Sequence, residues 1–252
     1  MDARTPLASY ALRLGDDSLI LGQRLSEWCG HAPALEVDLS LANVALDQIG
    51  QATHFLALAG EIEGNGRDAD ALAFRRDVMD FTNCLLVEQP NGDFAQTIAR
   101  QFLFSHYQER LFTALSAAKD ARFAAIAAKA VKETSYHATL ASDWIVRLGD
   151  GTDESKARMV AGLDWMWRFA DELFVMDHID AAAIEAGVGV DKAALKPDWD
   201  ARVDAVMANA TLARPASHRP VLGGRSGRHS EHLGHLLSEM QFLQRAYPGA
   251  TW

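Results

Sequence analysis

Residues 121–148, "ARFAAIAAKAVKETSYHATLASDWIVRL", decide the reading of the fold. Apolar side chains recur at Phe123, Ile126, Ala130, Ala141, Trp144 and Leu148, in the steps of three and four that share one face of a helix. Two positions in this stripe are polar, Thr134 and His137. The helix ends only at "GDG" (149–151), so it spans roughly 40 Å at 1.5 Å per residue. Within it, "KETSYH" (132–137) differs from Glu-x-x-His by the place of one glutamate. A spacing of three sets oxygen and nitrogen donors on one helical face.

The rest of the chain repeats this pattern, and β signals are scarce. Asp16 or Asp17 are good N-caps for a first helix ending at Gly30. A second helix follows Pro33 and continues to about Glu63, with a stripe of Val37, Leu41, Val44, Phe55, Leu58 and Ile62. A short helix over 70–81 leads to the turn "EQPNGD" (88–93). A third long helix then runs to about Ala118, carrying Ile98, Phe102 and Phe112. Lys119 and Asp120 separate it from the fourth. A fifth helix is expected over 153–174, smaller ones over 177–186 and 198–211, and a closing helix over 230–246. The stretch "ARPASHRPVLGGRSGRH" (213–229) reads as a long, Gly- and Pro-rich loop, and its "GGRSGR" (223–228) as a mobile surface loop in preference to a site where the two arginines meet an anionic partner surface or a CoA phosphate. Long helices with short connections and one apolar seam each are what an antiparallel four-helix bundle requires. With no linker in evidence, the expectation is one all-α domain over residues 1–252, a four-helix bundle with additional C-terminal helices.

Composition narrows the function. Of 252 residues 49% are hydrophobic, enough for a sizeable core. The net charge of −10 and the lack of a basic stripe argue against nucleic acid. Cys29 and Cys84 are far apart, which suits a reducing compartment and excludes a cysteine-rich metal site. The N-terminal stretch has no apolar h-region, and no run approaches the length of a membrane span. These features predict a cytoplasmic protein that engages no membrane. No Gly-x-Ser-x-Gly string and no dinucleotide fingerprint occurs, and "GGRSGR" (223–228) lacks the ending of a P-loop.

The residues that interrupt the stripes carry more information. On the second helix they are Gln48 and Gln51, on the third Ser105 and Glu109, on the fourth Thr134 and His137. All should point inward, where an unpaired polar group costs a few kcal/mol. A carboxylate-bridged di-iron centre in a helical bundle needs about four carboxylates and two histidines, with Glu-x-x-His on two helices. None of the nine histidines has Asp or Glu three residues before it. The nearest matches are Gln51-x-x-His54 and Thr134-x-x-His137. Inward carboxylates reduce to Glu27 and Glu109, while Glu133 reaches His137 only on the surface side. A hydrogen-bonded polar layer is the better reading. His229, His232 and His235 drift around their helix and suit a capped helix start or a partner contact. Trp165 and Trp167 cannot share a face, so one packs inside and the other faces outward.

Four stretches together resemble the family of non-catalytic, C-type structural subunits of phenylacetyl-CoA 1,2-epoxidases. They are "YALRLGDDSLILGQRLSEWCGHAP", "LANVALDQIGQA", "LLVEQPNGDFAQTIARQ" and "HSEHLGHLLSEMQFLQR". The resemblance spans almost the whole chain and implies a ferritin-like fold. It implies pairing with a homologous di-iron catalytic subunit, further small subunits and a reductase that brings electrons from NADPH through flavin and iron–sulfur groups. Against the catalytic relative's motifs, Glu27 and His137 match ligand positions. Gln48, Gln51 and Thr134 replace ligands, and Ser105 falls near a lost aspartate. The resemblance therefore implies no catalytic, cofactor-binding or metal-ligating residue in this chain, and a structural role for Gln48, Gln51, Thr134 and His137. The alternative is an independent iron or manganese enzyme using His137, Glu27 and Glu109. Self-association of the isolated chain is the remaining expectation about partners.

Overall fold

The computed structural model describes residues 5–216 and 218–250. The first four residues of the N-terminal stretch, Ser217 of the 213–229 loop and the last two residues lie outside them. Among the described residues every regular element is helical, and the chain is all-α. It divides into two compact units, one built from residues 1–89 and 223–252 and the other from 90–222.

In the first unit, α1 (Pro6–Ser26) and α2 (Leu35–Glu63) form a helical hairpin. α1 begins a full ten residues before the expected start. Thr5 is its N-cap, its side chain accepting from Ala8 N, and a proline opens the first turn. Asp16 and Asp17, read as caps, sit mid-helix and are buried. α1 and α2 run antiparallel: a Cβ on Gly15 would meet Leu56 at 2.7 Å, and one on Gly22 would meet Ile49 at 3.0 Å. Glycine at these two positions lets the helices approach at the contact. The buried face of α2 carries Val37, Leu41, Val44, Gln48, Gln51, Phe55 and Leu58, as its periodicity predicts. α3 (Ala69–Phe74), a 3-10 turn (Val78–Asp80) and α4 (Leu85–Glu88) follow. The same unit ends with α10 (Glu231–Met240) and α11 (Phe242–Ala246), a closing helix interrupted at Gln241.

The second unit is centred on α5 (Phe94–Leu115) and α6 (Ala121–Gly149), joined by a short turn. The buried face of α6 is Phe123, Ala127, Ala130, Thr134, His137, Ala138, Ala141, Ile145 and Gly149. The expected stripe was one residue off at Ile126, Trp144 and Leu148. Ala127, Ile145 and Gly149 occupy those core positions, and Trp144 is half-buried, edge-on to Phe94 at 5.0 Å. The large residues drew the periodicity toward themselves, whereas at two of the three positions close packing selected alanine and glycine. α7 (Asp153–Trp167), a 3-10 segment (Ala170–Phe174), α8 (His178–Glu185) and α9 (Lys192–Asn209) complete the unit. Trp199 anchors α9, donating from Nε1 to the Leu103 carbonyl of α5 at 3.0 Å. Its ring also packs against Phe174 and Trp167, giving a buried aromatic cluster. Trp165 is turned outward beneath the Arg168 guanidinium.

Candidate functional site

Of the polar residues expected to point inward, Gln48, Gln51, Ser105, Thr134 and His137 are buried, and their partners define their chemistry. In the first unit Ser18, Gln48 and Gln51 are buried, and Ser18 Oγ donates to Gln51 Oε1 at 3.5 Å. In the second, Gln101, Ser105, Thr134 and His137 are buried. Gln101 Nε2 donates to Ser105 Oγ at 2.7 Å. Thr134 Oγ1 shares its proton between the carbonyls of Ala130 (3.0 Å) and Val131 (3.2 Å), one turn back on its own helix. Thr134 thus donates within its own helix. A β-branched hydroxyl in a helix is already within reach of the preceding turn.

These donors do not fit a di-iron group. They are amides, hydroxyls and one imidazole, with no carboxylate among them, while the group needs about four carboxylates. The carboxylates expected to point inward stand elsewhere. Glu27 is the exposed C-cap of α1, paired with Arg24 at 2.8 Å. Glu109 is half-buried and faces Arg110 at 3.5 Å. Among the described residues no three His, Cys, Asp or Glu side chains are arranged to hold a metal ion.

Charge is buried elsewhere in the first unit. Asp16 holds Arg76 in a bidentate pair and also accepts from Thr82 N (2.9 Å) and Oγ1 (3.0 Å). Asp17 accepts from Cys84 N at 2.8 Å and pairs with Arg225 at 2.7 and 2.9 Å. Glu88 receives His229 Nδ1 at 2.7 Å, Asn83 Nδ2 at 2.9 Å and Ser230 N at 2.6 Å. The last bond satisfies the backbone N–H of Ser230, the N-cap of α10, whose side chain makes no capping bond. His229 Nε2 faces the Phe81 carbonyl at 2.8 Å. Both ring nitrogens therefore meet acceptors, which only the imidazolium satisfies. Burial alone lowers the pKa of this histidine, but the bond and charge of Glu88 and the Phe81 carbonyl outweigh it and raise it.

Sequence reasoning missed this constellation. The 223–229 segment is not a mobile surface loop: Gly223 and Gly224 are buried, and Arg225 and His229 fasten it. The histidine triplet also separates. His229 belongs to the buried pair, His232 is half-buried and His235 is exposed. The detectable signal was the double aspartate inside an apolar run, which demands cationic partners once it is read as mid-helix.

A second buried histidine lies in the other unit. His106 of α5 lines a cleft of about 300 Å³ with Glu109, Ser142, Asp143, Arg202 and Asn209. Ser142 Oγ donates to the Ala138 carbonyl at 2.7 Å, so it accepts from His106 Nε2 at 2.9 Å. Nδ1 is buried without a hydrogen-bond partner. Burial, with the charges of Arg110 and Arg202, lowers this pKa to about 4, so the ring is neutral at pH 7.

The fold and these sites define an all-helical protein in which each unit buries amide and hydroxyl side chains in its interior. The chain belongs to the phenylacetic acid catabolic protein family, whose profile matches residues 1–252. That family is ferritin-like, and α1, α2, α5 and α6 are the four long helices of the fold. A relative from Escherichia coli (strain K12), the C-type subunit of 1,2-phenylacetyl-CoA epoxidase, is 51% identical over 246 residues, covering 98% of this chain and 99% of the relative. No described helix is long and apolar enough to cross a membrane.

Proposed function

We propose that this chain is the non-catalytic structural subunit of a phenylacetyl-CoA epoxidase, which binds and stabilises a homologous di-iron catalytic subunit. The observation that carries the reading is the chemistry of the buried layer. By the resemblance Gln48 and Gln51 on α2 and Thr134 on α6 replace ligands; all three are buried, and none supplies the negative charge needed to offset two iron ions. Thr134 is moreover occupied by its own helix. A ferritin-like chain with such a layer keeps the architecture for assembly and leaves oxygen chemistry to a partner. The likeness to the Escherichia coli protein supports that assignment over nearly the full chain.

In this reading the complex oxygenates the aromatic ring of phenylacetyl-CoA. Iron resides in the catalytic subunit, and electrons from NADPH pass through the flavin and iron–sulfur groups of a reductase. This chain contributes the surface on which the catalytic subunit is held. Co-expression with the catalytic subunit in iron-supplemented cells, followed by size exclusion and metal analysis of each chain, tests the proposal. The expected result is one complex peak, with iron confined to the catalytic subunit. Near-stoichiometric iron on this chain, or separate elution of the two, overturns it.

A further inference from the structure

The cleft beside His106 is rich in acceptors and poor in donors. It lies within the second unit, where α5, α6 and α9 meet, and encloses about 300 Å³. On its α6 wall, Ser142 Oγ donates to the Ala138 carbonyl at 2.7 Å and Thr139 Oγ1 to the Ser135 carbonyl at 3.0 Å. Each hydroxyl spends its proton on its own helix and can offer a ligand only lone pairs. His106 Nε2 in turn gives its proton to Ser142 Oγ at 2.9 Å, which leaves Nδ1 as an acceptor. The residue is only 5% exposed, and Nδ1 has no hydrogen-bond partner in the protein. A buried acceptor of this kind calls for a donor from outside the chain.

The charges on the walls are opposite in sign and are not joined. Asp143 of α6 and Arg202 of α9 both line the cleft, and neither forms an ion pair among the described residues. Glu109 of α5 adds a second carboxylate, 3.5 Å from Arg110. Arg110 is committed elsewhere, to the His106 carbonyl at 2.8 Å and to Asp198. Arg202 is therefore the cation left for a ligand, and its charge is felt at His106. The cleft is acidic on α5 and α6 and basic on α9. A simple anion would meet two carboxylates there, and a simple cation would meet Arg202. Only opposite charges on one molecule answer both sides.

We propose that this cleft binds a small zwitterion of the amino-acid class. Its ammonium lies on the α5–α6 side, donating to His106 Nδ1 and drawn by the Glu109 and Asp143 charges. Its carboxylate takes the Arg202 guanidinium, the planar donor suited to it. A volume at the lower end of the range for ligand pockets suits a molecule of a few carbon atoms. The site goes beyond the proposed assembly role and does not depend on it.

Titration calorimetry of the isolated chain at pH 7 with glycine, β-alanine, γ-aminobutyrate and 6-aminohexanoate tests the proposal, with butylamine and butyrate as singly charged controls. The expected result is saturable binding of at least one amino acid, at least tenfold tighter than either control. Arg202→Gln and Asp143→Asn alter exposed side chains, so their circular dichroism should match wild type. Arg202→Gln should weaken that amino acid at least tenfold, and Asp143→Asn severalfold. The nitrogen-15 resonance of His106 Nδ1 should move on saturation, as a new donor at that atom requires. Absence of saturable binding by all four amino acids overturns the proposal, as does binding that either variant leaves unchanged or a resonance that stays in place. Butylamine or butyrate binding as tightly as the amino acids also overturns it, because the cleft then reads a single charge.

Discussion

The two buried histidines, His229 in one unit and His106 in the other, solve the same burial problem in opposite ways. His229 is enclosed by acceptors and is held as a cation, its charge answered by Glu88. His106 receives one hydroxyl, leaves Nδ1 bare and lies near two arginines, so it is held neutral. The difference shows what each does for the fold. A buried cation paired with a buried carboxylate fixes the position of a distant segment, whereas a neutral ring is compatible with a polar pocket. In the first unit these buried charges tie residues 223–230 to α1 and to the 81–89 segment through Arg225–Asp17 and His229–Glu88.

The largest effect comes from removing the acid of that pair. Glu88→Ala strands the His229 cation, the Ser230 N–H and the Asn83 amide in a buried site. Breaking a buried pair from one side costs about 3–5 kcal/mol, to be read from urea unfolding. Proteolysis within 223–250 should accelerate in parallel, since the segment loses a fastening. Arg225→Ala provides a second probe through Asp17 and should act in the same direction. A loss below about 1 kcal/mol for Glu88→Ala, the level of an exposed pair, would break the comparison.

The pH dependence separates the two histidines by sign. The folded pKa of His229 is raised above its ordinary 6.5, so its contribution is complete below pH 6.5 and is lost as pH rises through the folded value. The folded pKa of His106 is lowered to about 4, so its contribution is complete above pH 6.5 and is lost as pH falls from 6.5 toward 4. At about 1.4 kcal/mol per pH unit, that acid window is worth about 3 kcal/mol. Thermal midpoints of wild type, His229→Gln and His106→Gln from pH 4 to 9 check both. His229→Gln should flatten the alkaline limb and His106→Gln the acid limb. The same limb altered by both variants would collapse the distinction.

What the sequence made legible follows from the range of the interactions. The extents of α2, α5 and α6, the α2 stripe and the inward placement of Gln48, Gln51, Ser105, Thr134 and His137 are local matters of period, and they were readable. Asp16 and Asp17 were misread because an acid pair before an apolar run has the local signature of an N-cap. The partners that place them mid-helix, Arg76 and Arg225, are 60 and 208 residues away. Glu88 and His229 are separated by 141 residues, and nothing in either neighbourhood announces the other.

The smallest effect belongs to Thr134, and it separates retained architecture from retained chemistry. Its hydroxyl bonds to carbonyls of its own helix, and those carbonyls already accept the helical N–H bonds. Valine preserves the shape and the β-branching, so Thr134→Val should change stability by less than about 1 kcal/mol and leave binding of the catalytic subunit unaltered. Thr134→Glu creates the Glu-x-x-His spacing with His137, yet it brings a carboxylate into a fully buried position on α6. That variant should be destabilised by several kcal/mol and gain no affinity for ferrous ion, measured by calorimetry on the isolated chain. If the glutamate instead conferred stoichiometric iron binding, the layer would be a metal site lacking one ligand, and the neutral half of the comparison would have to be redrawn around it.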